Sequence, residues 1–210
     1  MRVGLFLGSF DPIHIGHISI ITSVLNANLV DKVIVIPAWH NPFKEHNPAP
    51  FMKRWEMCYQ STKGITNVQC AQVEGVLHDR LQVDKIPTYK VIDVYKNDPF
   101  FNGSEMYIIT TSETFSEMPT WENGYEILET NNFIILRGEN HPFDWALTNK
   151  VESFGNKCIC DTHLKFIDIS STKIRNMIKE NKIISPYVPE EAQLIIRKNN
   201  LYKWKIFQLK

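Results

Sequence analysis

Gly8-Ser9-Phe10-Asp11-Pro12-Ile13-His14-Ile15-Gly16-His17 is the stretch whose reading decides the fold. Before it, Met1-Arg2-Val3-Gly4-Leu5-Phe6-Leu7 reads as a buried strand. After it, Ile18, Ile20, Ile21, Val24 and Leu25 recur at helical spacing. The decapeptide is therefore a strand-to-helix turn. In an α/β fold such a turn presents backbone N–H groups and the positive end of a helix to an anion. His14 and His17 stand at its mouth, which suggests a phosphate-handling site.

Downstream, Asp31-Lys32 leads into Val33-Ile34-Val35-Ile36-Pro37, a β-branched run expected of a strand buried on both faces. Strand, helix and strand make a right-handed βαβ unit, so the expected fold class is α/β with a doubly wound parallel sheet and helices on both faces. Ligands in such sheets bind past the carboxyl ends of the strands. The loop from Ala38 to Lys44 should therefore face the same site as the histidines. Phe51 to Thr62 reads as a helix, with Trp55, Cys58 and Tyr59 on one face. Arg54, on another face, reads as a structural or helix-surface charge.

Asn67 to Gly75 alternates weakly, as a third strand would. Thr88 reads as the N-cap of a helix from Tyr89 to Tyr95. Strands are expected at Met106 to Thr110, Asn132 to Arg137 and Leu164 to Ile169. Between the last two, only a weak strand at Lys157 to Cys160 is legible. His141 and His163 read as surface residues. A helix begins at Ser170 and continues to Lys179, and a last one runs from Pro189 to Lys198.

A chain of 210 residues can bury the core of one domain. The reading is a single domain over 1–210, with a small C-terminal helical part from about residue 170. Lys+Arg and Asp+Glu are 23 each, which argues against a general polyanion binder and so against nucleic acid as a partner. A local positive pocket stays compatible with that balance. Cys58, Cys70, Cys158 and Cys160 form no pair of CxxC motifs and read as reduced thiols. No apolar run reaches the roughly 18 residues of a membrane span. The expectation is a soluble cytoplasmic protein without a membrane partner; homo-oligomer formation is left undecided.

Gly-x-Phe-x-Pro-x-His-x-Gly-His after the first strand resembles the signature of the adenylyltransferase and cytidylyltransferase superfamily. The spelling of residues 8 to 17 is most similar to the nicotinate/nicotinamide mononucleotide adenylyltransferases. Ile169-Ser170-Ser171-Thr172-Lys173-Ile174-Arg175 looks like the second signature of the same family. The resemblance covers most of the chain and is weakest from Gly138 to Thr162. It implies a Rossmann-like fold and a nucleotidyltransferase.

It further implies that His14, His17 and Arg175 are catalytic. Gly8, Ser9, Phe10, Ser170, Ser171 and Thr172, with those three, would bind ATP. The loop ending at Lys44 matches a family loop that ends in lysine, and Lys44 would place a point charge on a phosphate. Ser9, Lys44, Thr88, Lys90, Glu113 and Trp121 would bind the mononucleotide. Pro119-Thr120-Trp121 resembles a family element whose indole stacks on the pyridine ring. Lys90 stands where the family usually has threonine, Thr111 where it has glycine, and Glu113 where an aspartate accepts from a ribose.

The implied reaction is adenylyl transfer from ATP to nicotinate mononucleotide, giving deamido-NAD and pyrophosphate. The alternative substrate is nicotinamide mononucleotide, giving NAD directly. The partners are then ATP and a pyridine mononucleotide. Mg²⁺ would be carried by the ATP phosphates, with no protein residue assigned to it. A non-catalytic nucleotide-binding regulator and a different small-molecule nucleotidyltransferase are weighed against this. His14-Ile15-Gly16-His17 also spells a signature of class I aminoacyl-tRNA synthetases, but those need a much longer chain and a tRNA-binding surface.

Overall fold

The computed structural model of the protein describes residues 1–40, 48–138, 141–161, 164 and 166–203. Its first half runs β1 (Arg2–Gly8), α1 (Ile15–Asn26), β2 (Lys32–Pro37), α2 (Phe51–Thr62), β3 (Val68–Cys70), α3 (Val73–Leu81) and α4 (Thr88–Lys96). Next come β4 (Glu105–Thr111), α5 (Ser112–Glu117), α6 (Gly124–Thr130), β5 (Asn132–Leu136), α7 (Trp145–Ser153) and β6 (Cys158–Cys160). The chain closes with α8 (Ser171–Lys179) and α9 (Glu190–Lys198).

Among the described residues the strands form one six-stranded sheet in the order β3-β2-β1-β4-β5-β6. All of its pairings are parallel. The chain winds outward from β1 to β3, returns to the other side of β1, and winds outward again to β6. The reversal lies between β1 and β4, where the connections leave in opposite directions and open a crevice at the carboxyl ends. Phe6 of β1 is paired with Ile109 of β4 just below that crevice.

Strand alternation divides the core in two. Phe6, Val33, Val35, Tyr107, Ile109, Ile134 and Leu136 face one layer of helices, with residues of α1, α2, α8 and α9 packed on them. Val3, Leu5, Ile34, Ile36, Ile108, Phe133 and Ile135 face the other layer, which draws on α4, α5, α6 and α7. Both faces are therefore apolar, and β1 and β2 read as near-continuous hydrophobic runs. Ile174, Ile195 and Ile196 of the two C-terminal helices join the first layer rather than a core of their own.

Three expectations need correction, and one helix was not foreseen. The described residues of the stretch from Leu164 to Ile169, 164 and 166–169, belong to no strand. The Ile167 N–H goes to Ser19 Oγ of α1 at 2.9 Å instead of to a neighbouring strand. The weak alternation from Asn67 to Gly75 is a strand only over Val68–Cys70. Gly75 belongs to α3, packed so close to Phe51 that a Cβ there would lie 2.7 Å from its ring. Thr88 is the first residue of α4 rather than its cap; Pro87 precedes it and no side chain caps this end. Finally, α7 was not legible in the sequence, although Asp144 Oδ1 caps it by accepting from Leu147 N at 3.0 Å.

Candidate active site

Above the reversal point lies a cleft of about 280 Å³. The ends of β1 and β4, the start of α1, the start of α8 and the segment before α8 line it. Eight residues singled out from the sequence meet there: Gly8, Phe10, His14, His17, Glu113, Ser170, Ser171 and Thr172.

The turn after β1 is held by unusual backbone. Phe10 has φ of 46°, and the Asp11–Pro12 peptide is cis. A bulky residue keeps a positive φ only where its surroundings fix it. Here the Phe10 ring is buried between Phe6 and His17, with ring centroids 5.4 and 4.8 Å away. The ring thus backs the His17 imidazole from the core side.

His14 and His17 cap α1 reciprocally. His17 N donates to His14 Nδ1 at 3.4 Å, and His14 N donates to His17 Nδ1 at 3.2 Å. Their rings stack with centroids 3.6 Å apart. Because each Nδ1 accepts a backbone N–H, each neutral ring carries its proton on Nε2. Both imidazoles can therefore offer an N–H donor beside the positive end of α1. Gly16 is required by close approach, since a Cβ would come within 2.5 Å of the Ile167 carbonyl oxygen and 2.9 Å of His14 Nδ1.

The second signature docks onto the first. Ser170 Oγ accepts from Lys173 N at 3.2 Å and caps α8. Ser171 Oγ donates to the Pro12 carbonyl at 2.9 Å. Arg175 Nη1 donates to the Asp11 carbonyl at 2.8 Å, and its Nη2 donates to Thr172 Oγ1 at 3.0 Å. Two helix N-termini thus open onto one cleft, a site built for anions. The described lining contains two acids, Glu113 and Asp168, and no lysine or arginine, so the groups in it that can attract an anion are the helix ends and the imidazoles. Arg175 stands behind the motif turn, and its side chain is 11% exposed.

On the β4 side, Thr111 Oγ1 accepts from Thr114 N and caps α5. Ser112 Oγ donates to the His141 carbonyl at 2.6 Å and accepts from Gly138 N at 3.3 Å, drawing the end of β5 to the rim. His141 Nε2 then lies 3.6 Å from Glu113 Oε1. His141 is half exposed but lines the cleft, a placement the sequence did not reveal because Ser112, not a local motif, sets it.

Thr88, Lys90 and Trp121 are half-buried on the α4 and α6 side and do not belong to this lining. Trp121 ends a 3₁₀ turn over Met118–Thr120 and packs against the second core layer. Lys44 and His163 lie outside the described residues.

Of the two readings of Arg54, a structural charge or a helix-surface one, the structural reading holds. Arg54 is 1% exposed and donates to the carbonyls of Ala49, Ser9, Ala38 and Trp39 at 2.6–2.9 Å. It thereby ties the ends of β1 and β2 to the start of α2. Glu74, which the sequence reading did not single out, accepts from Trp39 N at 2.6 Å, while the Trp39 ring stacks on His78 at 3.8 Å.

Burial raises the Glu74 carboxyl from 4.5 to about 7, against the opposing pull of the Trp39 N–H and Arg54. A carboxyl raised in this way favours the folded state while it is protonated. Its contribution is present below about 4.5 and is lost as pH rises through about 7. Urea denaturation at pH 5 and pH 8 should show the wild type losing on the order of 3 kcal/mol more than Glu74→Gln over that interval. Equal losses would contradict the assignment.

Known proteins are similar to this chain in sequence and in fold. The cytidylyltransferase-like family model matches residues 5–177. The probable nicotinate-nucleotide adenylyltransferase of Clostridium novyi is 32% identical over 215 residues, covering 96% of this chain and 99% of the relative. A Thermus thermophilus protein of the same description is 29% identical, covering 97% of this chain and 100% of the relative. The structure of Plasmodium falciparum nicotinic acid mononucleotide adenylyltransferase complexed with NaAD superposes with a TM-score of 0.77 at 21% identity. That superposition covers 96% of this chain and 97% of the other.

Proposed function

The chain belongs to the cytidylyltransferase-like family, and we propose that it transfers the adenylyl group of ATP to nicotinate mononucleotide, giving deamido-NAD and pyrophosphate. The observation that carries this reading is the convergence of α1 and α8, with two stacked imidazoles, on one cleft at the β1/β4 reversal.

The chemistry suits such a site. A 5′-phosphate oxygen of the mononucleotide attacks the α-phosphorus of ATP. The bond from that phosphorus to the bridging oxygen breaks, and pyrophosphate leaves with the electron pair. The nucleophile is already an anion at neutral pH, so no general base is needed. What the reaction needs is to hold mutually repelling anions together and to stabilise charge on the transferring group. His14 and His17 can donate from Nε2, the two helix ends can donate from their N–H groups, and Ser170 and Thr172 sit at the second of these. Glu113, with His141 beside it, is the carboxylate that would accept from a ribose hydroxyl.

Lys44, Thr88, Lys90 and Trp121 remain the residues proposed for the mononucleotide, on the strength of the family resemblance. Magnesium enters as part of the ATP substrate. Among the described residues, no group of three or more His, Cys, Asp or Glu side chains could hold a metal ion. None of the described helices is long and apolar enough to cross a membrane. A cytoplasmic enzyme is the reading proposed.

The relatives' names favour the acid over the amide, as does Lys90 if its ammonium reaches the pyridine carboxylate. Steady-state kinetics with both mononucleotides test this. The expected result is a kcat/KM at least about tenfold higher for nicotinate mononucleotide, the scale of one charge-assisted contact. A preference for the amide would overturn the choice of substrate and leave the reaction class intact.

A further inference from the structure

Asp11 is completely buried, in the middle of the turn that carries the two histidines. A buried carboxylate is tolerated only when its oxygens are hydrogen-bonded and its charge is faced. One of the groups that meet this need comes from the far end of the chain. Asp11 Oδ1 accepts from the Tyr202 hydroxyl at 2.8 Å and from Ala49 N at 3.1 Å. Asp11 Oδ2 lies 3.8 Å from Arg175 Nη1.

We propose that Tyr202 is a positioning residue for the transfer site: its hydroxyl anchors the Asp11 carboxylate and thereby fixes the turn that aims His14 and His17 into the cleft. The backbone at Tyr202 supports this. After α9 the chain bends with Leu201 N donating to the Ile196 carbonyl at 3.0 Å. Asn200 and Tyr202 then take positive φ, 51° and 65°. A tyrosine holds that conformation only where its surroundings over-determine it. The bend turns the ring inward onto the first core layer and brings the hydroxyl to Asp11.

Burial and the adjacent carboxylate push the Tyr202 hydroxyl far above the usual phenol range, so it stays a donor at any working pH. Among the described residues, Asp11 is gripped from the approach to α2 through Ala49, from α8 through Arg175, and from the segment after α9 through Tyr202. Removing the hydroxyl takes one of these grips away and loosens the turn three residues before His14.

The inference rests on the reading of His14 and His17 as the groups that face the phosphates. It is tested on the full chain with Tyr202→Phe, which keeps the ring and deletes only the donor. Three quantities are measured: the melting temperature, the imidazole resonances of His14 and His17, and kcat and KM for ATP and nicotinate mononucleotide. The expected result is a folded protein with shifted imidazole resonances and a kcat about tenfold lower, with KM within about twofold, as loss of alignment rather than of binding requires. Tyr202→Phe that lowers only the melting temperature would show a merely structural role and overturn the inference. Shifted resonances with an unchanged kcat would also overturn it, and would place the fault in the phosphate-facing reading of the histidines. A protein that does not fold would overturn it too, by making the hydroxyl a requirement of the fold rather than of the turn.

Discussion

His17→Ala is expected to lower kcat by about a hundredfold or more, on the order of 3 kcal/mol of transition-state stabilisation. The size follows from place. His17 is in the first turn of α1, its proton is held on Nε2 by the bond from His14 N to Nδ1, and its ring is braced by Phe10 and stacked on His14. Such a donor is preorganised and needs no rearrangement as charge develops on the transferring phosphoryl group. His17 also caps the helix, and losing that bond costs about 1 kcal/mol of stability. The two roles separate in measurement. Thermal unfolding reports the cap as a small fall in Tm, while kcat at a temperature well below Tm reports the chemistry. A near-normal kcat in folded His17→Ala would remove the imidazole from the reaction.

Arg54→Met is expected to be the most destabilising single change, by about 3–5 kcal/mol in urea denaturation. Methionine fills much the same volume with no donor. The carbonyls of Ser9, Ala38, Trp39 and Ala49 would then lose their partner in the protein interior. The buried carboxylates of Asp11 and Glu74 would lose a nearby positive charge; their attraction now opposes the burial that pulls the Arg54 guanidinium below its ordinary pKa. Domains of this kind are stable by only about 5–15 kcal/mol, so a large share goes at once. Arg54→Lys should rescue little, because a single ammonium cannot span carbonyls spread over three segments. A cost within about 1 kcal/mol of wild type would contradict the role.

The pattern of what could be read in the sequence is physical. β1 and β2 are unbroken apolar runs because both faces of a parallel sheet are covered, and the helix after the motif keeps its spacing because one face is buried. Those signals are local, and they gave the α/β class and the position of the first turn. The segment from Leu164 to Ile169 has the composition of a strand, but the Ile167 N–H goes to Ser19 and its carbonyl lies against Gly16. Helix α7 is short and follows an irregular stretch, so its cap at Asp144 had no long apolar stripe to announce it.

The site divides in the same way. The two signatures name His14, His17 and Ser170 to Thr172, and these do line one cleft. Arg175 shows what a motif cannot reveal: its guanidinium is engaged with the Asp11 carbonyl and Thr172, so part of its work is to join the signatures. Arg54, Glu74, Asp11, His141 and Tyr202 acquire most of the partners described here across the fold, at sequence separations that no local pattern encodes.

The most direct measurement is of product. The purified chain, incubated with magnesium-ATP and nicotinate mononucleotide, should form deamido-NAD and pyrophosphate in equal amounts, at a rate that depends on both substrates. ATP binding to the protein with neither product formed would contradict adenylyl transfer and leave a nucleotide-binding regulator in its place.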